Sequence, residues 1–489
     1  MRLRSRKTRR IAALLGLLLG AGLNFLAGQT ADEQLALHQR RAQQAEAAQD
    51  FDGAIREYRI LVRAVPNSPE LQSNLGVALY FHHDLAAAAE VFQHAIVLKP
   101  GLYTPHLFLG LALANLSRPD AAVVQLEQAE TINADDPLVS TWLGYEYAAQ
   151  SRFEKAVEQL QTATSLKPDD QDIWFALGRC YLEMGKAAIE GLLRIAPDGG
   201  RTWQLAAEQY EARGNKEKAL QLYAIALQKR PDLTALHDKV VALGGSSTAS
   251  NASQSSDPAS ADQLYESIHE DEAKAREAFE RVSRMDADSY RAHQVLADSA
   301  AASDDFDEAI RQYGIVIEKK PDLPRIHGDL CNALSHTGRI QEAIVECDSE
   351  LSLSPYAADA YVQAARVHLL SGDETHAQLL LRKALGLDRP PIAAYRLLGK
   401  IDLGQKRYPS AIQELLKYVG VETTDASAWF LLARAYKAVG DMPRMEQAIA
   451  AYKHNSDFTK ASEAREVLDT RTQQDKSSDE DDGKNLKPL

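Results

Sequence analysis

The sequence predicts an all-α protein, a solenoid of about twelve stacked helix-turn-helix units, and three observations predict it. Small residues recur at a fixed step of 34: Gly76, Gly110, Gly144 and Gly178 form one column, and Ala54, Ala88, Ala122 and Ala156 a second. Alanine and leucine dominate while β-branched residues are sparse, which favours helix. Proline recurs at the unit ends, at Pro66, Pro100 and Pro168, where it stops a helix. Self-similarity at this period is the signature of a stacked array, because one hairpin cannot bury its apolar stripe alone.

The elements follow in chain order. Residues 1–30 stand apart: MRLRSRKTRR is strongly basic, and residues 11–27 are apolar apart from Asn24. This reads as an export signal or an N-terminal membrane anchor. The basic end then stays in the cytoplasm and the bulk is exported, to the periplasm or to the outer side of the inner membrane. The front array spans 35–243. Each first helix carries large apolar residues beside a small one, as in WFALGRCY (174–181), then a polar turn, then a second helix such as AAEVFQHA (88–95). The unit beginning near 171 reaches its proline at Pro197, five residues early, so its second helix or the turn before it is shortened. Residues 244–262 are Gly/Ser-rich and read as a flexible insert within the seventh unit. The rear array spans 263–459, where Ala297, Cys331, Ala365, Gly399 and Ala433 resume one column and Ala275, Ala309, Ala343, Ala377 and Ala411 the other. Residues 460–489 read as a short capping helix and a disordered acidic tail containing Asp479–Asp482.

The column set W-x2-L-G-x2-Y, met by Trp174, Leu177, Gly178 and Tyr181, with A-x3-F and P met by Ala88, Phe92, Ala95 and Pro100, resembles the tetratricopeptide repeat family. The resemblance implies a right-handed superhelix whose first helices line a concave groove. It also implies a non-catalytic interaction scaffold whose groove holds partner peptides or proteins.

Other classes find little support. The formal net charge of −14 argues against a general nucleic-acid binder. No HExxH, GxSxG, phosphate loop or GxGxxG pattern occurs, and no segment remains for a catalytic domain, so no enzyme activity and no cofactor are expected. His82, His83 and His94 with Asp84 and Glu90 suggest a metal site, but no other unit repeats them, and they read as turn and surface residues. His106, His293 and His327 occupy the column of Trp174 and Trp429 and read as large packing side chains. Cys180, Cys331 and Cys347 lack CxxC spacing and read as buried small apolar residues rather than a disulfide framework, with a Cys331–Cys347 bridge as the alternative if their helices pack together.

The stripe opposite the Leu-Gly-Tyr face of each first helix is the candidate site. In the front half it is apolar, with Val77, Tyr80, Phe81, Leu107, Leu111, Leu138 and Tyr145, and suits an apolar segment of a partner. In the rear half it turns basic. Asn332, Arg366, Lys400 and Arg434 share one column, with Arg291, Arg325, Arg396 and Lys437 on the same stripe, and suit an acidic or carboxylate-bearing partner. The chain's own acidic tail is one candidate ligand. The alternative function is that of an accessory subunit of a cell-envelope assembly or polysaccharide-export machine.

Overall fold

The computed structural model describes residues 32–245, 258–387 and 389–458. The leader with its apolar stretch 11–27, most of the Gly/Ser insert and the expected capping helix and tail lie outside the described residues. Among the described residues there are 23 helices and no strand, as the period requires. No helix among them is long and apolar enough to cross a membrane. The chain forms two compact bodies, one ending at Gln150 and one beginning at Ser151.

The first body holds α1 (32–47), α2 (Phe51–Ala64), α3 (Pro69–Phe81), α4 (Leu85–Leu98), α5 (Tyr103–Asn115), α6 (Pro119–Ile132) and α7 (Pro137–Ala149). Local chemistry sets the starts. Asp50, Ser68, Asp84 and Asp136 each accept a backbone N–H of the first turn, and α3, α6 and α7 open on proline. The small-residue column lets helices of a pair approach closely. A Cβ on Gly76 would fall 2.5 Å from the Phe92 ring, and one on Gly110 2.7 Å from Leu126. Between the helices of each pair the chain reverses through a left-handed residue: Gln49, His83 and Ser117 have φ of 57°, 63° and 56°. His83 is thus a turn residue, while His82 is bonded to Asp52 at 2.8 Å and His94 is exposed.

The second body holds α8 (Phe153–Leu166), α9 (Gln171–Ile195), α10 (Gly200–Ala212), α11 (Lys216–Lys229), α12 (Thr234–Ala242), α13 (Ala259–Met285), α14 (Tyr290–Ala302), α15 (Phe306–Lys319), α16 (Ile326–His336), α17 (Ile340–Leu353), α18 (Ala358–Leu370), α19 (Glu374–Leu385), α20 (Ile392–Gly404), α21 (Tyr408–Val419), α22 (Ala426–Val439) and α23 (Met442–Phe458). From α14 onward consecutive helices pair in order.

Before that, the order is broken in a way the repeat count misses. α9 and α13, of 25 and 27 residues, pack against each other along their length. A Cβ on Gly178 would meet the Phe279 ring at 2.7 Å, the contact that Gly399 makes with Leu415 at 2.6 Å. Phe279 is therefore the second-helix partner of Gly178, and the insertion opens inside the fifth unit, not the seventh. Its length follows from the columns: Gly178 and Ala297 are 119 apart, one 34-residue step plus 85. The early Pro197 has the same origin. The turn column falls on Gly185, which lies inside α9 with helical backbone, so the turn is absent rather than the second helix shortened. The second half of α9 (Ala188, Ile189, Leu192) shares a core with the first half of α13 (Ala261, Ile268) and with α10–α12 (Trp203, Leu222, Tyr223, Leu236, Val240). The inserted helices thus form a side branch on a long helix pair.

Two further corrections concern single columns. Cys331 and Cys347 are bonded, with Cα atoms 5.4 Å apart. They occupy the two positions, 16 apart, that Gly76 and Phe92 hold, so the column of closest approach brings them together. The histidine and tryptophan column is a hydrogen-bonding latch as well as packing. His106 Nε2, Trp174 Nε1, His237 Nε2, Tyr361 OH and Trp429 Nε1 each bond the carbonyl six residues back, at 2.8 to 3.1 Å, fastening the preceding turn. His327 and Gln72 reach the same carbonyl at 3.4 and 3.1 Å.

Candidate partner-binding faces

In the first body the expected apolar strip divides in two. Leu107 and Leu111 are buried, because α5 is flanked by the first helices α3 and α7, and they line no open face. Val77 and Tyr145 are half-buried, Tyr145 edge-on to Trp142 with centroids 5.8 Å apart, and Leu138 is exposed. What remains accessible is an aromatic group. Phe81 is 47% exposed and stacks on Phe51 at 5.5 Å; Phe108 contacts Phe81 at 6.0 Å and Tyr80 at 5.4 Å. The Tyr80 hydroxyl accepts the Asn115 amide at 3.4 Å. Three helices, α2, α3 and α5, thus contribute rings to one patch. Phe51 and Phe108 were absent from the strip read along single columns. Phe51 is the first residue of α2, beside the turn that follows α1, and only the pairing of α2 with α3 brings it to Phe81.

In the second body several members of the basic stripe hold the fold. Arg396 is 8% exposed, lies 3.1 Å from Asp425 and donates to Ser427 Oγ at 2.7 Å. Arg291 Nε donates to Asp172 at 2.6 Å, and its guanidinium lies 4.7 Å over the Phe175 ring. Burial pushes the Asp172 carboxyl up, but Arg291 and the Tyr290 hydroxyl outweigh it and hold it below the usual carboxylate range. Arg396 with Ser427 does the same to Asp425. Arg325 has left-handed backbone (φ 73°), and its N–H donates to buried Glu350 at 3.0 Å. Asn332, Arg366 and Lys400 are half-buried, and Arg434 and Lys437 are exposed. The 34-residue column of Asn332, Arg366, Lys400 and Arg434 also contains Asp298 and, once the 85-residue insertion is removed, Arg179. The interrupted period concealed Arg179.

The seams beside this face share a pattern. Arg291, Gln294 and Asp298 of α14 face Asp172, Phe175 and Arg179 of α9. Arg201, Gln204 and Glu208 of α10 face Asp262, Tyr265 and His269 of α13, at the same spacings. In each, arginine bonds the facing aspartate (2.6 and 2.5 Å), lies over the facing ring (4.7 and 4.4 Å) and donates to its own glutamine (2.6 and 2.9 Å). The distal acid meets the facing cation at 3.7 Å for Asp298–Arg179 and 3.1 Å for Glu208–His269. Among the described residues no three His, Cys, Asp or Glu side chains gather as metal ligands would.

Paired helices, close small-residue contacts and a turn-fastening latch repeated at 34 residues define a helical-hairpin repeat protein. Family models agree: the TPR repeat model matches residues 144–185, and a tetratricopeptide repeat model matches 40–103, 269–324 and 295–358. The chain carries tetratricopeptide repeats over these residues. No curated protein matches it. Among solved structures, MamA is 20% identical over 44% of this chain and 98% of its own, with a TM-score of 0.29. MamA of Desulfovibrio magneticus RS-1 is 18% identical over 40% and 93%, with a TM-score of 0.29. YrrB, described as a TPR protein with an unusual peptide-binding site, is 19% identical over 40% and 88%, with a TM-score of 0.27.

Proposed function

We propose that the chain is a protein-interaction scaffold that binds partner segments on its first-helix faces. The observation that carries this reading is the ring patch Phe51–Tyr80–Phe81–Phe108, in which Phe81 is exposed and the other three rings are half-buried around it, since an apolar surface shared by three helices and partly open to water favours association. It takes an apolar partner segment. The stripe Asn332, Arg366, Lys400 and Arg434 takes an acidic one, with Arg396 and Arg291 excluded as partner contacts because they are built into the seams. Phe51→Ser with Phe81→Ser tests the patch. With the helical circular dichroism unchanged, affinity capture should lose partners that the wild type recovers, and an unchanged partner set would overturn the reading.

We further propose that the protein works outside the cytoplasm, after export or while tethered through residues 11–27. The Cys331–Cys347 bond supports this, because disulfides persist in oxidising compartments, and so does the basic-then-apolar leader. A C-terminal alkaline phosphatase fusion, active only where disulfides form, should be active. An inactive but full-length fusion would contradict export.

A further inference from the structure

At the end of the seam between α9 and α14 the second body carries a charged group whose contacts leave it incompletely paired. Asp298 of α14 accepts the Tyr313 hydroxyl of α15 at 2.8 Å, and its other oxygen lies 3.7 Å from Arg179 of α9, beyond direct hydrogen-bond length. Asp329 of α16 faces the same place, and its Oδ2 is closed to solvent and accepts no hydrogen bond. The neighbouring charges are committed or at a distance. Glu350 accepts the backbone N–H of Arg325 and Gly328 at 3.0 and 3.3 Å and the Ser354 hydroxyl at 2.7 Å. Arg291 is held by Asp172. Arg325 attracts both carboxylates from an exposed side chain without touching either. Two carboxylates on adjacent first helices therefore share one loosely placed guanidinium. The place is open: the Asp298 and Arg179 side chains are 31% and 37% exposed.

We propose that this place receives a cationic side chain, lysine or arginine, from a partner segment lying along the first helices of the second body. An ammonium or guanidinium there reaches the accessible Asp298 carboxylate, whose second oxygen has Arg179 only at 3.7 Å, and offsets the charge of Asp329 behind it, since an ionised carboxylate away from water without a donor is costly. Burial, and then Asp298, push the Asp329 carboxyl up to about 6, which is what an unmet demand for positive charge produces. The inference rests on the scaffold reading and adds an order to it. Along the column Arg179, Asp298, Asn332, Arg366, Lys400, Arg434 the acidic place precedes the basic stripe, so the matching segment carries its cation at one end and its acids at the other.

Labelled oligolysine, oligoglutamate and glycine-serine peptides, titrated against the full chain at low and physiological salt, provide the test. Oligolysine should bind the wild type, and Asp298→Asn with Asp329→Asn should weaken it by about tenfold or more. Loss of fold is separable from loss of site, because Asp329→Asn removes a destabilising buried charge and should raise the melting temperature while lowering affinity. A control with Asp135→Asn and Glu217→Gln, exposed acids elsewhere, removes the same charge and should leave affinity within about twofold. Equal losses in control and double variant would mean general attraction to an acidic protein and would overturn the proposal. So would no oligolysine binding to the wild type. Oligoglutamate binding and its response to Arg366→Gln with Arg434→Gln report on the basic stripe separately, so either end can fail alone.

Discussion

At the scale of single residues, chemistry that looks alike in the sequence does opposite work in the fold. Asp172 and Asp298 both face arginines across first helices. Asp172 is gripped by Arg291 and Tyr290 and titrates low; Asp298 is held loosely, and burial takes it high. Asp329 is the sharper case. Its folded value of about 6 lies above the unfolded value of about 3.9. Below pH 4 both states are protonated and the group is neutral toward stability. From about pH 4 to 6 the unfolded state ionises while the folded carboxyl keeps its proton, so stability falls across that window, and above 6, with the folded carboxyl ionised and lacking a donor, it stays lower. Asp329→Asn should therefore raise stability at pH 7 by about 2 kcal/mol, and the gain should vanish near pH 3. Urea unfolding at both values checks this, and a gain of equal size at both would reject burial of the charge as its cause.

At the scale of elements, most of the fold was legible because the period is a packing statement. Gly76 against Phe92 and Gly399 against Leu415 are the close approaches that the columns imply. The exception is Gly185, which falls on the turn column in a chain where Gly214, Gly338, Gly372 and Gly440 do supply left-handed turns. The sequence alone gives no reason for it to remain helical. The reason is tertiary: α13 offers the second half of α9 a longer apolar partner than its own first half could. Two glycine substitutions separate these roles. Gly185→Ala should stabilise by up to about 1 kcal/mol, since a Cβ there meets Asp271 only at ordinary contact distance, 3.8 Å. Gly372→Ala, at φ 84°, should destabilise by about 1 kcal/mol. Thermal unfolding of the pair decides, and loss of stability in Gly185→Ala would mean a turn there. The cysteines failed to declare themselves for a related reason. Their 16-residue spacing is that of Gly76 and Phe92, a pairing that only the hairpin turns into contact. Cys331→Ala with Cys347→Ala should cost about 3 kcal/mol, the closure entropy of a loop of this length, and reductant should lower the melting temperature of the wild type and not of the variant.

At the scale of the whole molecule, the binding faces were less legible than the fold, because exposure is decided by neighbours in space. Leu107 and Leu111 obey the same column rule as Tyr80 and Phe81 and are covered, while Phe51 and Phe108 reach the surface patch from other columns. The same distinction between order in sequence and order in space governs how the second body is held together. A reading in which residues 35–243 and 263–459 are separate arrays joined by a Gly/Ser segment makes that segment the only tie between them. The pairing of α9 with α13 makes it dispensable: Gly178 packs on Phe279, Gln171 donates to the Val282 carbonyl at 3.1 Å, and Arg201 and Arg230 both bond Asp262. Each of these contacts joins a residue before Gly245 to one after Pro258. A protease site placed between Gly245 and Pro258 and then cut should therefore leave two fragments that co-elute in native gel filtration with unchanged helical circular dichroism. They should part only in denaturant, and Phe279→Ala should lower the denaturant concentration needed, since it removes the ring that packs on Gly178. Separation of the nicked fragments in native buffer would show that the two stretches fold apart, and the branch at the fifth unit would fall with it.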